Sequence, residues 1–272
     1  MLRLLTLLIL LLAPMGAGAS GLPRVVSVNV CTDQLVMLLA EPSQIIALSP
    51  LADDPRASAM AAEAAAFAKT SASAEAIAVQ APDIVVAGQY NDPALMNMLR
   101  SIGVEIVEFP LVQALEDIPA SMRKMGRVLA QEARAETMAA AFEAELAQFS
   151  EPDDSAPLAA FFFPNGYALG TGTLSHDILT AGGARNLSAA LGMTGNGRLS
   201  LEQLVLHAPD LLIGAPHNDG FSRSEEMTTH PAIAGIAMYH SSADWVCETP
   251  HVLTAIKQVA QAVEALRAGQ TE

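Results

Sequence analysis

The sequence has few cysteines, aromatic residues and positive charges. Its 272 residues include two cysteines, one tryptophan and three tyrosines. Fourteen Lys and Arg residues stand against 29 Asp and Glu residues, which gives a formal net charge of −15. This balance argues against nucleic acid as a partner, because nucleic-acid-binding surfaces neutralise phosphates with cationic side chains. Two cysteines are also too few for a metal site built from clustered thiolates.

The motifs of common enzyme classes are missing as well. The sequence contains no HExxH zinc motif, no GxSxG nucleophile motif and no Walker phosphate-binding loop. All six histidines lie in the second half of the chain, from His176 onward, so a bare-metal site between two halves would lack imidazole from the first. The sequence therefore marks out no catalytic residues and no intrinsic cofactor.

Residues 1–19 are predicted to be a secretory signal peptide. Arg3 is the only charge in this segment, residues 4–12 are leucine-rich, and the small residues at 17–19 suit cleavage after Ala19. The apolar run is too short to span a membrane comfortably. No cysteine stands at the cleavage site, which argues against a lipid anchor. A retained N-terminal anchor is the weaker alternative, and the mature protein is expected to be exported.

The two cysteines, Cys31 and Cys247, lie far apart in the sequence. Export permits a disulfide. Sequence alone leaves three states open, which are a Cys31–Cys247 disulfide, two buried free thiols and a thiolate pair near a ligand.

One short pattern occurs twice at a constant offset of 127 residues. Ser-Ala-Glu at 73–75 and Ala-Pro-Asp at 81–83 correspond to Ser-Leu-Glu at 200–202 and Ala-Pro-Asp at 208–210. Each copy predicts a short capped helix that proline ends, followed by a buried strand. A single large offset indicates two related lobes. Five apolar positions also correspond: Ile77/Leu204, Val79/Leu206, Ile84/Leu211, Val85/Leu212 and Val86/Ile213.

Predicted strands alternate with predicted helices on both sides of a central helical stretch. This order indicates an α/β fold with parallel sheets. We expect two Rossmann-like lobes, at residues 20–113 and 151–272, joined by one long α-helix within residues 114–150, with a ligand cleft between the lobes.

The central stretch carries apolar residues at helical spacing from Ile118 to Phe149, with Gly126 as its only glycine. One continuous helix over this stretch would be about 50 Å long. The alternative is two helices broken near Gly126, but the continuous apolar stripe favours one.

Polar, small and aromatic residues follow the predicted strands. Ligands of parallel sheets bind beyond the carboxyl ends of the strands, so these residues are candidates for ligand contact. Thr32 or Asp33 is also expected to cap the first helix. The expected ligand-binding residues are Asn29, Cys31, Thr32, Pro50, Leu51, Tyr90, Asn165, Tyr167, His217, Asp244 and Trp245.

Four segments together resemble one known family. They are Arg-Val-Val-Ser-Val-Asn at 24–29, the two Glu…Pro-Asp-strand repeats, Ala-Gly-Gly-Ala-Arg-Asn at 181–186 and Leu-Ser-Leu-Glu-Gln-Leu at 199–204. In this order they are similar to the periplasmic substrate-binding proteins of ABC importers for iron chelates and cobalamin. The resemblance covers nearly the whole mature chain. It implies two α/β lobes joined by one long helix, a ligand in the cleft and a monomeric, non-enzymatic protein.

The resemblance also implies a partner. In this family an exposed glutamate on each lobe docks onto arginines of the membrane permease dimer, and the matching residues here are Glu75 and Glu202. The alternative is that each carboxylate only stabilises the positive end of its helix.

The ligand implied by the resemblance is a bulky iron or cobalt chelate. Asp244-Trp245 is similar to an Asp-Trp pair of cobalamin-binding members, but Glu248 stands where those members have a basic residue. A ferric siderophore and a corrinoid are therefore kept together, with haem as the alternative and an exported enzyme on the same scaffold as a less favoured one. Three arginines are candidates for an anionic chelate: Arg56, Arg198 and Arg223.

Overall fold

The computed structural model describes residues 21–71, 73–215 and 223–269, so the expected signal peptide lies outside the described residues. Two four-stranded parallel sheets form its framework. The first contains β1 (Val25–Ser27), β2 (Ile45–Ala47), β3 (Ile84–Gly88) and β4 (Glu105–Phe109). The second contains β5 (Leu158–Phe161), β7 (Arg185–Asn186), β9 (Leu211–Gly214) and β10 (Ala237–His240), and an antiparallel ribbon pairs β6 (Tyr167–Leu169) with β8 (Asn196–Arg198).

Helices cover the sheets and connect their strands. They are α1 (Val30–Leu39), α2 (Ala61–Ala64), α3 (Ala74–Val79), α4 (Pro93–Ser101), α5 (Ile118–Leu129), α6 (Glu132–Leu146), α7 (Leu174–Ala181), α8 (Leu187–Ala190), α9 (Leu201–His207) and α10 (Val252–Gly269). None of these described helices is long and apolar enough to cross a membrane.

The two sheets have the same strand order. The first runs β2-β1-β3-β4 and the second, taken from its other edge, runs β7-β5-β9-β10. The strand that follows each copy of the sequence repeat, β3 or β9, therefore pairs with the opening strand of its lobe, β1 or β5. This correspondence confirms the two-lobed α/β fold expected from the repeat.

The aspartate of each Pro-Asp pair fixes the repeat to the opening strand. Asp83 Oδ2 accepts the backbone N–H of Arg24 at 2.7 Å, and the N–H of Asp83 donates to the Arg24 carbonyl at 2.9 Å. In the second lobe Asp210 makes the same two bonds with Leu158, both at 2.8 Å. The duplicated aspartate thus sets the register between two neighbouring strands.

The residue before each proline is left-handed. Ala81 has φ of 47° and Ala208 has φ of 42°. Non-glycine residues rarely adopt this conformation, but the α region is disfavoured before proline. The unusual backbone at both joints ends α3 and α9 and turns the chain into the next strand.

One continuous apolar core joins the lobes. It contains Val25 of β1, Val86 of β3, Phe161 of β5 and Ile213 of β9, each fully buried, together with the apolar face of α5. The inner faces of both sheets therefore share one interior.

The expected 50 Å helix is wrong, because the chain reverses after Leu129. Arg123 donates hydrogen bonds to Glu136 and to Glu143, each at 2.7 Å. In one straight helix residues 123 and 143 would lie about 30 Å apart. The chain instead forms an antiparallel pair of helices, α5 and α6, and α6 is about 22 Å long.

The break has a local cause that apolar periodicity does not reveal. Ala130 is left-handed, with φ of 54°, and the N–H of Gln131 donates to the Gly126 carbonyl at 2.7 Å, a common way to end a helix. Gly126 lies against Ala135, where an added Cβ would come within 2.3 Å of the alanine Cβ. The glycine thus permits close packing of the two helices.

We expect Gly126→Ala to destabilise the protein by about 1–3 kcal/mol through overpacking, although alanine normally stabilises a helix relative to glycine. Urea unfolding measures the free energy. The matched control is Gly126→Ala combined with Ala135→Gly, which moves the methyl group across the contact and should recover much of the loss. A Gly126→Ala protein more stable than the wild type would contradict the close-packing explanation.

Candidate functional site

The carboxyl ends of both sheets meet at a disulfide. Cys31 lies four residues after β1, and Cys247 lies seven residues after β10. Their Cα atoms are 5.0 Å apart and the two sulfur atoms are bonded. Of the three states left open by the sequence, the structure therefore has the disulfide, which brings the strand-exit loops of the two lobes together at one end of the site.

The first of these loops is ordered by Asn29. Its side chain caps α1 by accepting the N–H groups of Cys31 at 2.9 Å and Thr32 at 3.4 Å. The expected cap at Thr32 or Asp33 is wrong, because α1 begins at Val30. Thr32 is buried, and its hydroxyl lies 2.8 Å from the hydroxyl of Ser27. Asn29 and Thr32 thus shape the loop from within.

A buried carboxylate holds the next loop. Asp33 accepts the Ser49 N–H at 3.1 and 3.2 Å and also the Ser49 hydroxyl. Burial raises the pKa of Asp33 to about 6, while the hydrogen bonds from Ser27 and Ser49 oppose the rise. The contact ties α1 to the loop that carries Pro50 and Leu51, both exposed. Sequence reasoning missed Asp33 as a support of the site, since its partner lies in a different loop.

Tyr90 projects from the third loop of the first lobe. Its side chain is 80% exposed. Asn91 anchors the loop, because its side chain accepts the Gly88 N–H and donates to the Val28 carbonyl, both at 2.8 Å. The structure therefore holds the base of this loop and leaves the phenol free to contact a ligand.

In the second lobe, Tyr167 lies on the β6–β8 ribbon directly opposite Arg198. Both side chains are exposed. The turn before β6 contains Asn165, left-handed with φ of 59°, which is a conformation that asparagine tolerates well. The ribbon combines an aromatic ring with a guanidinium group, a pairing that needed the strand register and was not visible in the sequence.

The last loop is more buried than the sequence suggested. Trp245 is only 8% exposed and packs edge-on against Phe161 at 6.1 Å between ring centroids. Asp244 accepts the Ser242 hydroxyl at 2.9 Å. Val246, which sequence reasoning missed, is the large apolar side chain that this loop exposes.

Glu248 follows this loop and is buried, which raises its pKa. The position where the resemblance implies a basic residue is thus occupied by a buried carboxyl group, which is not exposed to a ligand.

A cavity of about 350 Å³ lies at the carboxyl end of the second sheet. Its lining includes Phe162 and Pro164 after β5, Ala215 after β9, and Met238 and His240 of β10. His240 Nδ1 is 2.7 Å from the Ala215 carbonyl oxygen. His217 lies outside the described residues.

The three candidate arginines lie on three different segments of the chain. Arg56 is ion-paired with Asp54 at 2.8 Å, Arg198 lies on the ribbon, and Arg223 is exposed beyond β9. Within the described ranges, no group of three or more His, Cys, Asp or Glu side chains could hold a bare metal ion.

Glu75 and Glu202 occupy equivalent places on α3 and α9, and both are exposed. Each helix begins at a serine of the repeat. Ser73 Oγ accepts the Ala76 N–H and Ser200 Oγ accepts the Gln203 N–H, both at 3.2 Å. The Ser200 hydroxyl also lowers the pKa of Glu202, so this carboxylate is ionised at neutral pH.

The chain is similar to known proteins in both sequence and fold. Residues 25–240 match a family model described as periplasmic binding protein. No curated protein matches the chain. Among solved structures, a periplasmic heme-binding protein, RhuT from Roseiflexus sp. RS-1, has a TM-score of 0.71 at 19% identity, covering 90% of this chain and 99% of its own.

Two further structures are similar at full length. A periplasmic vitamin B12-binding protein, BtuF of Vibrio cholerae, has a TM-score of 0.66 at 17% identity, covering 90% of this chain and 98% of its own. A periplasmic heme-binding protein from Pseudomonas aeruginosa has a TM-score of 0.68 at 19% identity, covering 89% and 92%. At these identities the likeness concerns the fold.

The buried Asp33 predicts a pH dependence. Its folded-state pKa of about 6 lies above the ordinary value of 3.8, so the folded protein binds this proton more tightly than the unfolded chain. The contribution of Asp33 to the free energy of unfolding should therefore fall as pH rises from about 4 to about 6 and level off above that. The effect is on the order of 3 kcal/mol at most.

We expect Asp33→Asn to remove this component of the pH dependence. Urea unfolding of both proteins between pH 4 and pH 7 gives the measurement. Other carboxyl groups are common to the two proteins, so the difference between the curves isolates Asp33. Parallel curves across this range would show that Asp33 titrates normally.

Proposed function

This chain belongs to the periplasmic binding protein family, and on that premise we propose that it captures a bulky metal chelate between its lobes and delivers it to an ABC permease. The observation that carries the proposal is the exposed apolar and aromatic set at the two sheet edges joined by the disulfide. Its members are Leu51 and Tyr90 on the first lobe and Tyr167 and Val246 on the second.

The chemistry of these edges suits a large, partly apolar ligand with negative charge on its periphery. Aromatic and aliphatic side chains remove apolar ligand surface from water. Arg198 stands beside Tyr167 on the ribbon and offers charged hydrogen bonds to a carboxylate or phosphate. Among the other expected contacts, Pro50 and Asn165 are exposed and Asn29, Cys31 and Asp244 are partly exposed, so we assign these five to the walls of the proposed cleft. Thr32 and Trp245 are buried and support the loops from within.

Three chelates fit this description: a ferric siderophore, a corrinoid and haem. The similar folds named above include heme-binding and vitamin B12-binding proteins. One observation keeps haem as a candidate beside the siderophore and the corrinoid. Tyr90 offers an exposed phenol, a group that serves as an axial ligand of haem iron in some proteins.

A titration with defined chelates tests the proposed ligand class. We expect one of hemin, cyanocobalamin and ferric desferrioxamine B to bind with one-to-one stoichiometry, seen as a saturating absorbance change without turnover. If hemin binds through iron, Tyr90→Phe changes the absorption spectrum, whereas Tyr167→Phe leaves it unaltered. Product formation would favour the enzyme alternative, and failure of all three chelates to bind would refute the proposed class.

A second test concerns delivery. Glu75 and Glu202 lie outside the proposed cleft on matched helices, so we expect Glu75→Ala combined with Glu202→Ala to retain chelate affinity and to abolish uptake of the radiolabelled chelate that binds. The matched control is Glu63→Ala with Glu264→Ala, which removes the same charge from positions outside the repeat. Unchanged uptake in the first double variant would refute docking through these glutamates.

A further inference from the structure

The repeat helix has one apolar position that is buried in both lobes and another that is exposed in both. Ile77 and Leu204 correspond to each other, and both are fully buried. Two residues later in each copy, Val79 is 87% exposed and Leu206 is 77% exposed. A two-residue step along a helix turns the side chain by about 200°, which accounts for the opposite placement. The apolar positions of the repeat helix thus include one that faces solvent in both lobes.

Each exposed aliphatic side chain shares a helix face with an exposed glutamate. Val79 lies four residues after Glu75, and Leu206 lies four residues after Glu202. Residues four apart are neighbours on a helix surface. Both lobes therefore display the same pair, an acidic side chain beside an aliphatic one.

The exposed apolar surface is larger around the second copy of this pair. Around Glu202 and Leu206, the side chains of Leu201, Val205 and Ala232 line a shallow, mostly apolar groove. A single exposed aliphatic residue needs no explanation. Here the exposed aliphatic recurs at the equivalent position of a second lobe, next to an equivalent acid, and in one lobe borders an apolar groove.

We propose that Glu75–Val79 and Glu202–Leu206 are two copies of one docking element for a two-fold symmetric membrane partner. Each half of that partner presents a cationic side chain next to an apolar socket. The inference rests on the proposed delivery to a permease and adds to it an apolar contact in each lobe.

Charge and repetition select this occupant over a second copy of the chain. The protein has a formal net charge of −15, and a self-contact through these surfaces would place glutamates against glutamates. A partner that recognises the same acid–aliphatic pair twice must itself offer the same surface twice, as a dimer of identical subunits does.

Photo-cross-linking in the native host tests the inference. A photoreactive residue is placed at position 79 or at position 206, with position 102, directly after α4, as an exposed control. We expect both docking positions to cross-link the same integral membrane protein within the same segment of its sequence, and position 102 to give no such product. Cross-links to a second copy of this chain, to unrelated segments, or to no membrane protein would overturn the inference.

The identified permease, reconstituted in nanodiscs, then gives affinities. We expect Val79→Ser and Leu206→Ser each to weaken binding about tenfold with both glutamates present, and Ile102→Ser to leave it unchanged. If the serine variants bind normally while Glu75→Ala with Glu202→Ala does not, the apolar contact is refuted and glutamate docking stands. If the glutamate variant also binds normally, both proposals fail.

Discussion

The bond between the Pro-Asp aspartate and the opening strand is the constraint on which the arrangement of each lobe depends. Asp83 and Asp210 each receive a backbone N–H from the strand that begins their lobe and return their own N–H to the same residue. This reciprocal contact fixes where the third strand starts. It also fixes where the preceding helix ends, since the left-handed alanine and the proline lie immediately before the aspartate. The position of each exposed glutamate follows from that joint.

The second constraint lies at the opposite edge of the sheets. The Cys31–Cys247 bond holds the strand-exit loops of the two lobes against each other. Hydrogen bonds within the loops then fix their bases, as Asn91 does below Tyr90, and leave side chains such as the Tyr90 phenol exposed. The helix before each repeat strand thus carries the glutamate for which we propose a partner contact, and the carboxyl end of the same strand leads into the proposed cleft.

The sequence predicted the parts of this structure that rest on local chemistry or on repetition. The duplicated motif and the alternation of strands with helices predicted the two lobes, because both are visible as patterns in the sequence. The reversal at Ala130 was missed, since a left-handed alanine carries no composition signal and the apolar stripe continues across it. The cap of α1 was predicted at Thr32 or Asp33 but lies at Asn29, because the helix begins earlier than expected. Trp245 was expected at a ligand surface, but a strand-exit position does not reveal that neighbouring aromatic rings bury it.

The shared interior has a consequence for exchanging parts of the molecule. Its core takes side chains from both halves, from Val25 to Val263, even though the halves have equivalent topology. Exchanging one half for that of a relative would leave two mismatched surfaces facing each other across that interior. Substitutions in the exposed loops at the strand exits, by contrast, leave this shared interior intact.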